Sequence, residues 1–316
     1  MSRILITGGA GFIGVNLCKK LLRQGHEVIA VDNFITSTDN NIKLLLSNSK
    51  FRFIKQDITK PISNFIRRIG GSNFKYIYHL ACPTGVPNLI KLAKEMLLTC
   101  SLGTRNVLEL ARIHSAKVLF TSSSEVYGDP QASPQTEDYT GNVDPVGIRS
   151  PYEEGKRFSE SLIQVYVRKY NLKAKIVRVF NTYGSYVALN DSRVVPRFLR
   201  QALGNKPLTV EGKGLQTRTF CYVDDLVDGL LLVMKKGKKG EVYNLGSDKE
   251  IRIIDLAKLI IKVTRSKSGI VFVERPAHDH KRRFPSLEKV EKLGWRQKTA
   301  LEKGLQKTLR WHITSK

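Results

Sequence analysis

No stretch of this 316-residue chain approaches the roughly 20 consecutive apolar residues that a bilayer-crossing helix requires. A helical membrane span is therefore excluded. Cysteine is scarce as well: Cys18, Cys82, Cys100 and Cys221 are scattered, without close pairing or metal-like spacing. That excludes a disulfide scaffold and reads as free thiols in a reducing compartment. Among six histidines the one close pair is His278-x-His280, with no Cys or acidic pattern around it, so no metal is expected. Acidic residues are few, 28 against 53 Lys+Arg, giving a net charge of +25. Anionic ligands can use part of that charge but not so many cations. The basic runs, Lys235-Lys236 with Lys238-Lys239 and Lys281-Arg282-Arg283, lack interleaved aromatics. Nucleic-acid binding is not expected from them, and a solvated, lysine-rich surface is the simpler reading. No repeat or low-complexity tail is evident. The first strand candidate, Ile4 to Thr7, starts almost at Met1, which leaves no room for a targeting peptide and points to the cytoplasm.

What is present is an ordinary globular composition, 41% hydrophobic and 26% charged, long enough for a sizeable core. β-rich apolar runs occur at Ile4–Thr7, Val28–Val31, Phe51–Ile54, Tyr76–Leu80, Val118–Thr121 and Ile176–Val179. Helical periodicity fills Phe12–Arg23, Leu89–Arg112 and Tyr152–Lys169 between them. Continuous apolar strands alternating with helices indicate an α/β fold, a Rossmann-type doubly wound parallel sheet. Past Asn181 the elements shorten. A helix is expected over Val194–Leu203, a hairpin near Leu208–Gly214, helices at Asp225–Lys235 and Ile253–Thr264, a strand at Ile270–Val273 and a helix near Leu301–Ile313. These readings divide the chain into residues 1–180, which bind a dinucleotide, and a smaller C-terminal substrate-binding α/β domain, 181–316, interleaved near the boundary.

Thr7-Gly8-Gly9-Ala10-Gly11-Phe12-Ile13-Gly14 joins the first strand to the first helix. Gly8 suits the tight turn, Gly11 the approach of backbone to a pyrophosphate, and Gly14 close helix–strand packing; Phe12 and Ile13 open the helix whose free amides meet the phosphates. A glycine triplet alone is weak, but here Asp32, followed by Asn33, ends the next strand. An acid there accepts hydrogen bonds from adenosine ribose hydroxyls and repels a 2′-phosphate, which selects NAD over NADP. Asp57-Ile58 after the third strand would meet adenine, and Leu80-Ala81 after the fourth would meet a cofactor ribose.

Ser122-Ser123-Ser124-Glu125 follows the fifth strand, and Tyr152-Glu153-Glu154-Gly155-Lys156 opens a helix. One turn apart, Tyr152 and Lys156 share a face. The ammonium favours the phenolate and is expected to draw the phenol's pKa from about 10 toward working pH. Tyr152 can then take a hydroxyl proton while a hydride leaves the same carbon for NAD. Lys156 can also hold the nicotinamide ribose, and Ser123 can steady the reacting oxygen.

At these residues the chain resembles the extended short-chain dehydrogenases, and within them the UDP-glucuronate decarboxylases. The resemblance runs from Ile4 to about Leu309 and is carried by Ser123-Ser124-Glu125-Val126-Tyr127-Gly128-Asp129-Pro130, Tyr152-Glu153-Glu154-Gly155-Lys156-Arg157, Arg178-Val179-Phe180-Asn181-Thr182-Tyr183-Gly184, Asn190-Asp191-Ser192-Arg193 and Gln216-Thr217-Arg218. It implies a homodimer that acts on a UDP-sugar. It also implies that Asn181, Arg193 and Arg218 contact the nucleotide sugar, Arg218 at the pyrophosphate. Ser124 and Glu125 would serve decarboxylation and proton handling, with Arg283 assisting. Oxidising the sugar at C4 puts a ketone β to the carboxylate, so carbon dioxide leaves with its electron pair entering an enolate.

The two rival outcomes are 4-epimerisation and 4,6-dehydration. Epimerases of the family usually lack the acid at Glu125, and dehydratases carry an Asp where Ser124 stands. The chain departs from the pattern at Leu89 (usually Tyr), Cys100 (usually Asn), Ser185-Tyr186 (usually Pro-Arg) and Phe284 (usually Lys). The third departure is expected to remove a cation near the sugar.

Overall fold

The computed structural model describes residues 1–61, 63, 68, 73–274 and 282–314; the His278-x-His280 pair and Lys281 fall outside them. Six strands arise in the first part of the chain: β1 (Arg3–Thr7), β2 (Glu27–Asp32), β3 (Phe51–Lys55), β4 (Tyr76–His79), β5 (Lys117–Ser123) and β6 (Ala174–Val179). Short strands follow at β7 (Thr182–Tyr183), β8 (Leu208–Glu211), β9 (Thr217–Thr219) and β10 (Cys221–Tyr222). The last three are β11 (Val242–Leu245), β12 (Glu250–Arg252) and β13 (Ile270–Val273). The main sheet is seven-stranded and parallel, in the order β11-β6-β5-β4-β1-β2-β3. Ile4, Leu5 and Ile6 are all buried, as a strand covered on both faces requires.

The chain reverses direction across the sheet between β1 and β4, and a crevice opens there at the carboxyl ends of the strands. Everything chemically interesting hangs on that edge. The sheet's seventh strand, β11, comes from well past residue 180 and pairs with β6 through Val242–Ile176 to Leu245–Val179. No helix among the described residues is long and apolar enough to cross a membrane.

Two local expectations fail. The stretch Leu89–Arg112 is not one helix; it divides into Asn88–Lys91, Ala93–Leu98, a π-helical turn at Thr99–Gly103, and Thr104–Ile113. Apolar periodicity survives a π-turn with a shifted phase, so it cannot reveal one. The hairpin near Leu208–Gly214 is absent too. Gly212 and Gly214 do turn the chain, at φ +59° and +70°. However, β8 pairs parallel with β13, and β9 pairs antiparallel with β12. Turn chemistry fixes a change of direction, not the partner.

Candidate active site

The glycine loop is built as the cofactor reading requires. Gly8 has φ +72°, and a Cβ on it would lie 2.8 Å from the Ala81 backbone nitrogen. A Cβ on Gly14 would lie 2.1 Å from the Gly8 carbonyl oxygen. Loop, helix and the Leu80-Ala81 strap therefore pack backbone to backbone. The helix Phe12–Arg23 begins at Gly11 with no side-chain cap and no acid in its first turn, so its leading amides face an anion site without competition. Asp32 is buried at the end of β2. Its Oδ2 accepts from the Ala10 amide at 3.1 Å, and its Oδ1 accepts from the Phe34 amide and the Ser37 hydroxyl, both at 2.9 Å. Asp57 Oδ1 is held by the amide and hydroxyl of Thr59. This cradle fits a dinucleotide, with Asp32 next to the loop. Gly14→Ala is expected to weaken NAD binding at least about tenfold, about 1.4 kcal/mol, as calorimetric titration will show; unchanged affinity would mean the loop is not the phosphate site.

β5 delivers the serines. Ser123 ends the strand and its Oγ accepts from the Glu125 amide at 3.3 Å, starting a short 3-10 turn over Ser124–Tyr127. The helix Ser150–Tyr170 starts at Ser150-Pro151, where proline's fixed φ suits a first turn. It presents Tyr152 and Lys156 to the same edge. Lys156 is 3% exposed, donates to the Thr121 carbonyl at 2.8 Å, and lies 4.6 Å from the Phe120 ring centroid and 5.9 Å from that of Tyr152. Burial works against its charge, but Cys82, Tyr152, Cys100 and Glu160 together raise its pKa, so it remains an ammonium.

Tyr152 departs from expectation. Burial pushes its phenol up to about 12, outweighing the pull of Lys156 and a side-chain hydrogen bond with Ser123. The lysine has the predicted sign and is not sufficient alone. Beneath it, His79 bridges Thr7 at 2.8 Å and Thr104 at 3.1 Å; burial first, then Lys156, lowers its pKa to about 3, so it is a neutral strut.

Glu125 is not a partner of Lys156. Its carboxylate is gripped by Arg283, with Nη2 2.7 Å from Oε2 and Nη1 on Oε1, while Arg149 Nη2 also meets Oε2. Burial would raise its pKa, but the two guanidinium groups hold it well below the usual carboxylate range. Arg149 in turn donates to Glu153 at 3.1 Å. Sequence reading missed Arg149; its only signal was a cation three residues before Tyr152. The Arg283 Nε is buried with no partner among the described residues.

A cavity of about 1070 Å³ runs along this edge. Ligand pockets commonly measure roughly 300–1,000 Å³, so this cleft lies at the large end of that range. It brings together every residue predicted for the site. The cofactor set, Gly8, Gly11, Phe12, Ile13, Gly14, Asp32, Asn33, Asp57, Ile58, Leu80 and Ala81, lines one arm, and Asn181, Arg193, Arg218 and Arg283 reach the rest. Arg193 is already paired with Asp191 through its Nη2 at 2.7 Å. Asn181 donates to the Thr219 carbonyl at 3.3 Å, and Arg218 to the Thr217 carbonyl at 2.8 Å. Tyr186, which stands where a cation was expected to be lost, lines the cavity, packs against Trp311 and accepts from Lys19 Nζ at 2.7 Å through its hydroxyl.

Residues 4–246 match the model of the NAD dependent epimerase/dehydratase family. The chain belongs to that family. Among relatives, it is 42% identical over 310 residues to UDP-glucuronic acid decarboxylase 1 of Danio rerio, covering 98% of this chain and 72% of that protein. It is also 42% identical over 306 residues to UDP-glucuronic acid decarboxylase 6 of Arabidopsis thaliana, covering 96% and 86%. Among solved structures, the UDP-glucuronic acid 4-epimerase of Bacillus cereus, in complex with UDP-glucuronic acid and NAD, superposes with a TM-score of 0.86 at 29% identity, over 99% of each chain. As a member of this family the chain uses NAD, and its fold is the Rossmann-type α/β fold expected from sequence.

Proposed function

We propose that this protein is an NAD-dependent UDP-glucuronate decarboxylase, forming UDP-xylose and carbon dioxide. The observation that carries the reading is the carboxylate of Glu125, fixed between Arg149 and Arg283 on the same cavity wall as Ser123, Tyr152 and Lys156. Relatives named for this activity match nearly the whole chain.

The glycine loop and Asp32 would hold NAD, which would supply the hydride acceptor, and later donor, for C4 of the sugar. Tyr152 Oη, as the phenolate that the Lys156 ammonium stabilises, takes the C4 hydroxyl proton and becomes the neutral phenol. The resulting ketone is β to the carboxylate. The bond to carbon dioxide breaks, its electron pair enters an enolate, and the protonated Tyr152 with the Ser123 hydroxyl donates hydrogen bonds to the enolate oxygen. The ring carbon then gains a proton from solvent, relayed by the Ser124 hydroxyl beside the Glu125–Arg283 pair. With the hydride returned, NAD is unchanged over a turnover.

Asn181, Arg193 and Arg218 would hold the nucleotide diphosphate, within a C-terminal region (181–316) that complements the cofactor region (1–180). Exposed Leu97, Leu102, Phe158 and Val165, on the helices that pack beside the site, support a homodimer. Four free thiols fit a cytoplasmic setting.

The test is incubation with UDP-glucuronate and NAD, followed by mass analysis. Product lighter by one carbon dioxide, with no net NADH, is expected. An isomer of unchanged mass would make the protein a 4-epimerase, and a loss of water a dehydratase.

A further inference from the structure

Cys82 and Cys100 have no part in that chemistry, yet their sulfurs are 3.6 Å apart. Each touches a different half of the catalytic machinery. Cys82 continues the Leu80-Ala81 strap that packs against Gly8, and it lines the cavity. Cys100 is 2% exposed and lies in the π-helical turn Thr99–Gly103. A Cβ on Gly155, between Tyr152 and Lys156, would sit 3.3 Å from Cys100 Sγ, and Ser159 on the same helix donates to the Cys100 carbonyl at 2.7 Å. The pair therefore bridges the strap beneath the glycine loop and the helix that carries the phenol.

We infer that Cys82 and Cys100 form a modification site for hydroperoxides, closing to a disulfide that reversibly disables the cofactor cleft. It rests on the reading of that cleft as the NAD site. Two sulfurs at 3.6 Å need approach by only roughly 1.5 Å to reach bonding distance. A helix already in π geometry has slack for such a slide. The cavity admits a peroxide to Cys82. Its thiol passes its proton to the hydrogen-bonded Cys100 thiolate and attacks one peroxide oxygen, the O–O bond breaks, and the departing hydroxide takes that proton from Cys100 to leave as water. The sulfenic acid so formed on Cys82 is attacked by the Cys100 thiolate. The S–S bond forms, the S–O bond breaks, and a second water leaves. Two electrons pass from the two sulfurs to the peroxide.

The pair shares its charge unevenly: the hydrogen bond with Cys100, then burial, raise the Cys82 pKa well above its ordinary value, so the resting thiolate is on Cys100. The hydrogen bond from Cys82 lowers the Cys100 pKa to about 7 against the cost of burial, with help from Lys156 and Ser159. Cys18 and Cys221 are both fully buried, and burial raises their pKa, so they are poor competitors. Drawing the two together displaces the strap, the catalytic helix or both, and misplacement of about 1 Å can cost about 100-fold in rate.

The full chain is treated with hydrogen peroxide, alkylated and digested, and its NAD affinity is measured with and without dithiothreitol. Expected are a linked Cys82–Cys100 peptide lacking two hydrogens, NAD binding at least about tenfold weaker, and full recovery on reduction. Cys100→Asn, with Cys100→Ser as a second variant, should keep its own untreated affinity through the same exposure. Absence of the linked peptide overturns the inference. So does a linked peptide with unchanged affinity, or equal loss in the variants. Neither readout needs a sugar substrate, so a wrong substrate assignment would change neither result.

Discussion

Tyr152→Phe is expected to abolish the first oxidation, lowering its single-turnover rate by about 10³-fold while NAD still binds. The change removes one oxygen and keeps the ring. Lys156 is anchored independently, to the Thr121 carbonyl, so the ammonium stays in place. The loss is therefore assignable to the missing base. Formation of NADH on mixing the variant with NAD and UDP-glucuronate, followed by absorbance, checks it; a normal rate of keto-sugar formation would remove Tyr152 from the chemistry.

The pH profile carries a sharper test of the same residue. Burial pushes the phenol up to about 12, and Lys156 only partly draws it back. The reactive form is the phenolate, so the oxidation rate should climb as pH rises and level off at the phenol's apparent pKa. The positive charge of the oxidised nicotinamide acts in the same direction as Lys156 and brings that plateau down. Lys156→Met removes one of the two pulls, and its rising limb should move to higher pH. A limb that stays put, or moves down, would show that the ammonium does not govern the phenol.

The parts of the molecule legible from sequence were those specified by neighbours in the chain. Gly8, Gly11 and Gly14 announce their turn because backbone packs so closely there that a Cβ on Gly14 would lie 2.1 Å from the Gly8 carbonyl oxygen. Tyr152 and Lys156 announce a shared face because helical geometry puts residues four apart together. What stayed hidden was decided by distant partners. β11 is not among the strands expected from the sequence, and its place in the sheet appears only with β6 beside it. The phenol's pKa could not be read because burial depends on the whole enclosure, and here it exceeds the one local charge. Arg149 escaped because a lone cation before Tyr152 resembles any solvated residue; its role appears only when β5 brings Glu125 against it. The 3.6 Å contact of Cys82 and Cys100, 18 residues apart in the chain, likewise needs the fold.

Glu125→Gln is expected to separate the two halves of the reaction. NAD should bind as in the wild type and the first oxidation should proceed, since Glu125 is the smallest of the influences on the Tyr152 phenol and its removal favours the phenolate. Carbon dioxide release should fall about 100-fold, about 2.7 kcal/mol on that step, for loss of the charge that neutralises the two guanidinium groups. NADH and keto-sugar should then accumulate and be visible in absorbance and mass. The carboxylate is the negative charge that Arg149 and Arg283 share, and without it both guanidinium groups can turn to the substrate's carboxylate and hold it as a tight ion pair. A carboxylate so held does not give up its electrons readily, which is why an enzyme that expels carbon dioxide benefits from neutralising those cations first.

The pH dependence separates this role from a titrating one. Glu125 is depressed, so the stability its ion pairs contribute is present above the ordinary carboxyl value of about 4.3 and lost only as pH falls through the lower folded-state value. Near neutrality it does not titrate in the free enzyme. Decarboxylation by the wild type should thus show no acid limb near pH 5–6 from this residue. Breaking one partner of a buried pair costs about 3–5 kcal/mol; the retained amide oxygen and 13% side-chain exposure put the expected loss for Glu125→Gln at the lower end, measurable by urea unfolding. Unchanged carbon dioxide release in that variant would mean the Arg149–Glu125–Arg283 cluster is scaffolding.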